Sequence, residues 1–233
     1  MGPVTNNGGD PLTTRVRNVT DTGFEFQMDE WNYLDGPHTT ETIGWLAMSE
    51  GSHTLASGQT VVAGTHTVGT NLKTVSFGES LGEAVVLTEV TTYNGTDAVT
   101  TRLRNVDSSG FQVRLDEEEA QGDHGNETVS WIAVETGTAS GLDVVRTPDQ
   151  VNHRADTFGF NTDFDTSPVL LGDIQSIDGG DTSTLRMSSL SDSSVSLFVD
   201  EESSKDIEVR HTNETVGYVA MEEGVIYEDT FFV

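Results

Sequence analysis

The sequence predicts an all-β protein, with tandem six-stranded antiparallel β-sandwiches strung along one chain of 233 residues. Three observations lead there. Ordered blocks of sequence recur along the chain, apolar residues alternate with polar ones in short runs, and turn-forming clusters separate those runs without any long helical stripe.

The recurrence is the strongest of the three. HTTETIGWLAMSEG (38 to 51), HGNETVSWIAVETG (124 to 137) and HTNETVGYVAMEEG (211 to 224) each place a His seven residues before an aromatic: His38 before Trp45, His124 before Trp131, His211 before Tyr218. Upstream, TTRVRNVTDTGFEF (13 to 26) returns as TTRLRNVDSSGFQV (100 to 113) and, more loosely, as STLRMSSLSDSSVSLF (183 to 198). A further block, TVSFGESLGEAVVLTEV (74 to 90), matches TFGFNTDFDTSPVLLGDI (157 to 174). The period is about 86 residues, long enough for one small sandwich per repeat.

These blocks divide the chain into an incomplete first repeat (1 to 51), a second (52 to 137), a third (138 to 224) and a C-terminal strand (225 to 233). The first repeat starts midway, with Val4 near the position of Thr91. The last segment holds Thr230-Phe231-Phe232, which would take the place of Thr74 to Phe77 and complete the first unit. Within a repeat, Leu103, Val106, Phe111, Val113 and Leu115 mark period-two strands broken by the turn Asp107-Ser108-Ser109-Gly110. Around Trp131, apolar residues occupy both strand faces, so that strand is expected to be buried on both sides. Trp45, Trp131 and Tyr218 are expected as core anchors. A repeat of this size buries little surface alone, so packing between repeats is expected.

Composition narrows the function. Thirty-nine acidic residues against 11 basic ones give a formal charge of -28 and a pI near 4.1. Nucleic acid and anionic membranes are disfavoured partners, and no apolar run is long enough to span a bilayer. Cysteine is absent, so thiolate metal sites and disulfides are excluded. Acid spread along the whole chain with only two lysines, Lys73 and Lys205, predicts a protein of a halophile. There, molar salt screens carboxylate repulsion to within ~3 Å. The N-terminus shows no signal peptide.

At the recurring blocks the sequence resembles the H-type lectin domain, the family of snail agglutinin and the discoidin C-terminal domain. The resemblance is carried in repeat 2 by Thr74 to Phe77, Ala84 to Val90, the Arg102-to-Phe111 block and the terminal Val129 to Glu135. It implies a six-stranded sandwich that trimerises and binds sugars at subunit junctions, so that three repeats in one chain would form a covalent pseudo-trimer. It also implies sugar contacts at a central Arg, matched by Arg15, Arg102 and Arg186, and at a Trp-led hairpin, matched only by Trp31. Repeats 2 and 3 carry Glu118 and Glu202 at that hairpin position.

An aromatic stacks on the apolar face of a pyranose while a guanidinium donates to its hydroxyls. Trp31, Arg15, Tyr33 and His38 are therefore the expected glycan-contact patch, with Trp31 exposed and Arg102 and Arg186 at the corresponding places. Alternatively the three arginines pair with carboxylates. Alternation puts His and Glu of the His-x-x-Glu pattern on opposite strand faces, which favours structural hydrogen bonding over a shared site. Asp116 to Glu119, Asp200 to Glu202 and DGGDTS (178 to 183) offer oxygen ligands for calcium or magnesium, but without an EF-hand spacing they are expected to be solvated surface, and no cofactor is expected.

Catalysis is not expected. The formal Gly-x-Ser-x-Gly at Gly78 to Gly82 is followed by a strand-like run rather than a helix. Tandem carboxylates are expected in exposed turns, where nothing tunes a pKa. Four sequons (Asn18, Asn94, Asn126 and Asn213) matter only where a glycosylation system acts. The expected protein is a non-catalytic surface-recognition module that binds host glycans or glycoprotein, as a virion-surface fibre, turret or capsid component of a haloarchaeal virus. It would be a homo-oligomer or part of a virion assembly. The alternatives are a structural decoration or spacer protein without a ligand, and part of a secreted haloarchaeal adhesin at the cell surface.

Overall fold

The computed structural model describes residues 1–34, 38–120, 122 and 124–224, all strand and loop. The strand proposed within 225 to 233 lies outside the described residues.

The middle unit shows the building plan. Its strands are β4 (Gly51–Thr54), β5 (Thr60–Val68), β6 (Lys73–Ser76), β7 (Ala84–Val90), β8 (Thr100–Arg104), β9 (Gly110–Asp116) and β10 (Glu127–Glu135), with the unit 1 strands given below. They form a four-stranded sheet in the order β4-β5-β10-β7 and a three-stranded sheet in the order β6-β9-β8. One core joins the two sheets, with Val62, Val86, Val129 and Trp131 from the first meeting Val75, Leu103, Phe111 and Leu115 from the second. The count is seven strands rather than six, because the short edge strand β4 pairs with β5.

Sequence periodicity explains which side chains enter that core. Along β9, Phe111, Val113 and Leu115 are buried while Gln112 and Arg114 are not, as a period of two requires. The turn before it is closed by Asp107, whose carboxylate accepts from the N–H of Ser109 at 2.7 Å and of Gly110 at 3.1 Å. The segment Gly78 to Gly82 is a connection between β6 and β7.

Unit 3 repeats the plan with β11 (Gly137–Ala139), β12 (Leu142–Arg146), β13 (Asp156–Gly159), β14 (Val169–Ile174), β15 (Ser183–Leu190), β16 (Ser194–Glu201) and β17 (Val216–Met221). Its sheets run β11-β12-β17-β14 and β1-β15-β16-β13. The added strand, β1 (Val4–Thr5), comes from unit 1 and pairs in parallel with β15. Apart from β1, the described residues of unit 1 contribute only the hairpin of β2 (Leu12–Thr20) and β3 (Gly23–Glu30). Its residues 40 to 49 form no strand.

The sheets β4-β5-β10-β7 and β11-β12-β17-β14 pack against each other through a second apolar layer. Val85 and Leu87 of β7 and Val134 of β10 meet Val144 of β12, Leu171 of β14 and Val219 of β17, with Leu46 and Met48 of unit 1 set against them. This is why β7 is buried almost throughout: Val86 and Val90 face their own unit's core, while Val85 and Leu87 face the neighbouring unit. The approach is close enough to need glycine, since a Cβ on Gly217 would lie 2.6 Å from the Val85 side chain.

The open edge of β7 is capped by side chains of unit 3. Gln175 accepts from Val86 N at 2.9 Å and donates to Val86 O at 2.7 Å, as a neighbouring strand would. Asp173 accepts from Thr88 N at 3.1 Å and from the Thr88 hydroxyl at 2.5 Å. Covering an edge in this way prevents it from pairing with another chain. Burial pushes the Asp173 carboxyl up to about 7, against the opposing effect of the Thr88 hydrogen bonds.

Candidate functional site: three buried junctions and one open face

Each of the three arginines leaves its own unit and ends in the next. Arg15 of unit 1 donates to Glu127 of unit 2 at 2.8 Å, Arg102 of unit 2 donates to Glu214 of unit 3 at 3.3 Å, and Arg186 of unit 3 donates to Glu41 of unit 1 at 3.4 Å. The last contact closes a ring of three units. All three guanidiniums are at most 1% exposed.

The surroundings of the pairs repeat as well. Arg15 also donates to the carbonyls of Thr92, Gly95 and Asp97, and Arg102 to those of Gly179 and Asp181. Arg186 donates to the carbonyls of Thr5 and Asp10 and to Asp200. In return each glutamate accepts backbone N–H groups from that same loop: Asn7 and Gly8 for Glu41, Asn94 and Gly95 for Glu127, Asp178 and Gly179 for Glu214. A hydroxyl adds to each set, from Thr5, Thr92 and Ser176. Such pairing is what an ionised carboxylate needs in order to stay buried.

A histidine completes each junction. His38, His124 and His211 hold Glu41, Glu127 and Glu214 through Nε2 at 3.1, 3.0 and 3.0 Å. Their Nδ1 atoms contact Glu30, Glu117 and Glu201. The His-x-x-Glu pattern was expected to split across two strand faces. It does not, because each His lies in loop conformation, ahead of β10 and β17 in units 2 and 3, and folds back onto the Glu. The opposing loop must carry glycine there: a Cβ on Gly8 would lie 2.8 Å from His38 Nε2, and one on Gly95 would lie 2.6 Å from His124.

Burial alone would raise the pKa of these glutamates. For Glu214 the hydrogen bonds from His211, Ser176 and Gly179, with the charge of Arg102, outweigh it and hold the carboxyl down at about 2. Glu41 is likewise held at about 2, through Gly8, Thr5, Asn7 and His38. Glu127 is lowered for the same reasons.

The tandem carboxylates expected at the surface are partly inside. Glu117, Glu118, Glu201 and Glu202 are all buried, since the hairpin ends that carry them converge with that of unit 1. There Glu118 accepts from Tyr33 N at 3.3 Å, and Glu202 from Glu119 N at 2.6 Å. The Tyr33 hydroxyl meets Ser203 Oγ at 3.2 Å and accepts from Ser203 N at 2.9 Å. Pairing with Asp181, together with burial, pushes Glu119 up to about 7, and burial outweighs Arg186 to push Asp200 up to about 6. Carboxylate pKa values are therefore tuned here, contrary to the sequence expectation. Among the described residues no group of three or more such side chains is arranged to hold a metal ion. The DGGDTS segment instead supplies the backbone that receives Arg102 and Glu214.

Two tryptophans exchange their expected places. Trp31, expected at the surface as a stacking platform, is 1% exposed, whereas Trp45, expected as a core anchor, is 56% exposed. Trp131 and Tyr218 are buried as expected. Of the four residues of the expected patch, only Tyr33 is substantially exposed, because Arg15 and Trp31 are enclosed and His38 is held between two glutamates; Arg102 and Arg186, at the corresponding places, are enclosed as well.

Trp45 is exposed because no described strand covers it. Phe24 meets Trp45 at 5.4 Å and 69°, matching Phe111 and Trp131 of unit 2 at 5.7 Å and 67°. In unit 2, Phe77 then sits 6.0 Å from Phe111 and 5.9 Å from Trp131. No described residue of unit 1 fills that position. Phe24, Val16, Val19, Leu46 and Met48 instead line an open apolar cavity of about 270 Å³ that reaches Trp131 of unit 2.

Sequence reasoning singled out the arginines and the histidines but missed the loop that receives them. The signal was present: NGGDPLTTR, NGTDAVTTR and DGGDTSTLR place a Gly seven residues and an Asp five residues before each Arg.

No known protein family matches the chain by its sequence profile, and no solved structure matches it. The chain is similar to halomucin of Haloquadratum walsbyi (strain DSM 16790 / HBSQ001), at 32% identity over 218 residues. That similarity covers 89% of this chain and 2% of halomucin. The resemblance to H-type lectins thus rests on the motifs quoted above, and the structure adds an all-β architecture of small antiparallel sheets.

Proposed function

We propose that the chain is a non-catalytic structural module of a haloarchaeal surface or extracellular protein, a rigid acidic brick of three β units locked into a ring. The observation that carries this reading is the burial of Arg15, Arg102 and Arg186 against carboxylates and carbonyls of the neighbouring units. A guanidinium so enclosed is committed to assembly, and the unpartnered Nε of Arg15 and of Arg102 is itself buried out of reach of a sugar. The similarity to halomucin supports a cell-surface setting over a virion one. The formal charge of -28 supports a high-salt setting.

A second reading, glycan recognition, is favoured by Tyr33. Its ring is 38% exposed where hairpins from all three units meet. A glycan array at several-molar salt separates the two readings. The structural module binds no glycan. Saturable binding that is lost in Tyr33→Ala would overturn it in favour of recognition.

A further inference from the structure

Unit 1 is half a sandwich whose inner face is finished but uncovered. The Phe24–Trp45 pair already has the geometry of its buried counterpart, yet Trp45 is 56% exposed, Phe26 50% and Val19 59%. Among the described residues strand β3 pairs only with β2, whereas β9 and β16 each have a second neighbour, β6 and β13. The carbonyls of Thr42 and Gly44 accept backbone hydrogen bonds from Thr5 and Gly2, on the side that β7 takes against β10. On the other side, β10 has β5 and β17 has β12, while 40 to 49 has no described strand.

We propose that this face is a docking site for a β segment of a further repeat, of the kind seen at Gly51 to Leu87. That segment would add a strand beside β3, add another beside residues 42 to 48, and set an apolar aromatic against Phe24 and Trp45 as Phe77 is set against Phe111 and Trp131. Three observations select this occupant. The same molecule fills the same place twice with its own segments, β5 to β7 in unit 2 and β12 to β14 in unit 3. Among the described residues the face has strand edges without a neighbour on both layers, which a compact ligand would leave unpaired but an extended chain satisfies. The similar protein, halomucin, is of a length at which this chain matches only 2% of it. The proposal does not depend on whether the chain binds sugar.

The two hairpin loops fix the register. Asn7 and Gly8 contact Glu41 as Asn94 and Gly95 contact Glu127, so Met1 stands where unit 2 has Thr88. A copy of residues 51 to 87 fused directly before Met1 therefore places every strand in line. Trp45 reports the result, because Trp31 and Trp131 are 1% and 7% exposed.

In acrylamide quenching at molar salt, the 233-residue chain is expected to show one readily quenched tryptophan that disappears in Trp45→Phe. The fusion is expected to lose that component and to gain hydrogen-exchange protection across 42 to 48 and β3. A fusion carrying residues 137 to 171, the unit 3 equivalent, gives an independent second test should the first not fold. Trp45 remaining quenchable in folded fusions would overturn the proposal. So would a Trp45 already shielded in the unfused chain. If deleting 225 to 233 then exposes it, the chain's own terminus is the occupant, and if dilution exposes it, a second copy is.

Discussion

Units 1 and 2 share one set of junction residues and differ in nearly everything else. Unit 2 has seven strands and a closed core, while unit 1 has a hairpin, one short strand and an uncovered aromatic pair. Yet Glu41 in unit 1 is held by the same loop N–H groups, hydroxyl and histidine as Glu127 in unit 2. The contrast separates two sources of stability. The cores come from apolar strands within a unit, while the ring comes from buried polar junctions between units. A unit can occupy its place in the ring without a finished core.

The sharpest way to break the comparison is to attack one side of it at a time. Glu214→Ala leaves Arg102 buried without its carboxylate partner and is expected to cost about 3–5 kcal/mol in chemical denaturation at molar salt. Phe77→Ala, in the closed core of unit 2, is expected to cost a similar ~3–5 kcal/mol by the same measurement. The matching change in the open unit, Phe24→Ala, is expected to cost less than about 1 kcal/mol, since its site is already solvated. Equal losses from Phe77→Ala and Phe24→Ala would erase the distinction between closed and open units.

Acidity separates the junctions from the unit contacts in a different way. Glu214 titrates near 2 in the folded chain, below an ordinary glutamate near ~4.3, so its contribution is present above that value and is lost as pH falls toward 2. Asp173 has the opposite sign. Its folded value of about 7 lies above the ordinary ~3.9, so the folded state binds the extra proton and stability declines as pH rises from about 4 to 7. Asp173→Asn is therefore expected to stabilise the protein relative to wild type more at pH 8 than at pH 4, in thermal melts at fixed salt. An unchanged difference between those two pH values would count against a buried protonated Asp173. The smallest effect is expected at the open face, where Val19→Ser and Phe26→Ser should alter stability by no more than about 0.5 kcal/mol while reducing binding of a hydrophobic dye.

Much of this was legible in the sequence. The repeat and the period-two strands announce an all-β chain of similar units, and the placement of three arginines at one repeat position marks them as held for a common reason. Which reason was not legible, because the partner lies about a hundred residues away and is met only when the units close into a ring. The tryptophans were misplaced for a related reason. Trp45 has the pattern of a core residue, but its exposure is decided by a strand that no described part of unit 1 supplies. Trp31 sits in a polar hairpin whose burial comes from its position against the other units. The acidic runs at Asp116 and Asp200 read as solvated surface, and only the convergence of three hairpins turns them inward. The Asn-Gly and Asp-Gly loops were visible as turns, but their role as carboxylate cradles needs the histidine and glutamate brought over them.

Ring closure is the central claim, and Arg186–Glu41, beside the β1–β15 pairing, is the carboxylate contact that makes a ring out of a row. It joins residues 145 positions apart. A double-mutant cycle with Arg186→Met and Glu41→Gln, read by equilibrium unfolding at molar salt, tests it directly. The ring predicts a coupling energy of about 1–3 kcal/mol, comparable with that of Arg102 and Glu214 measured in the same way. Additive effects at Arg186 and Glu41, with coupling retained at Arg102 and Glu214, would contradict closure and leave the units as an open row.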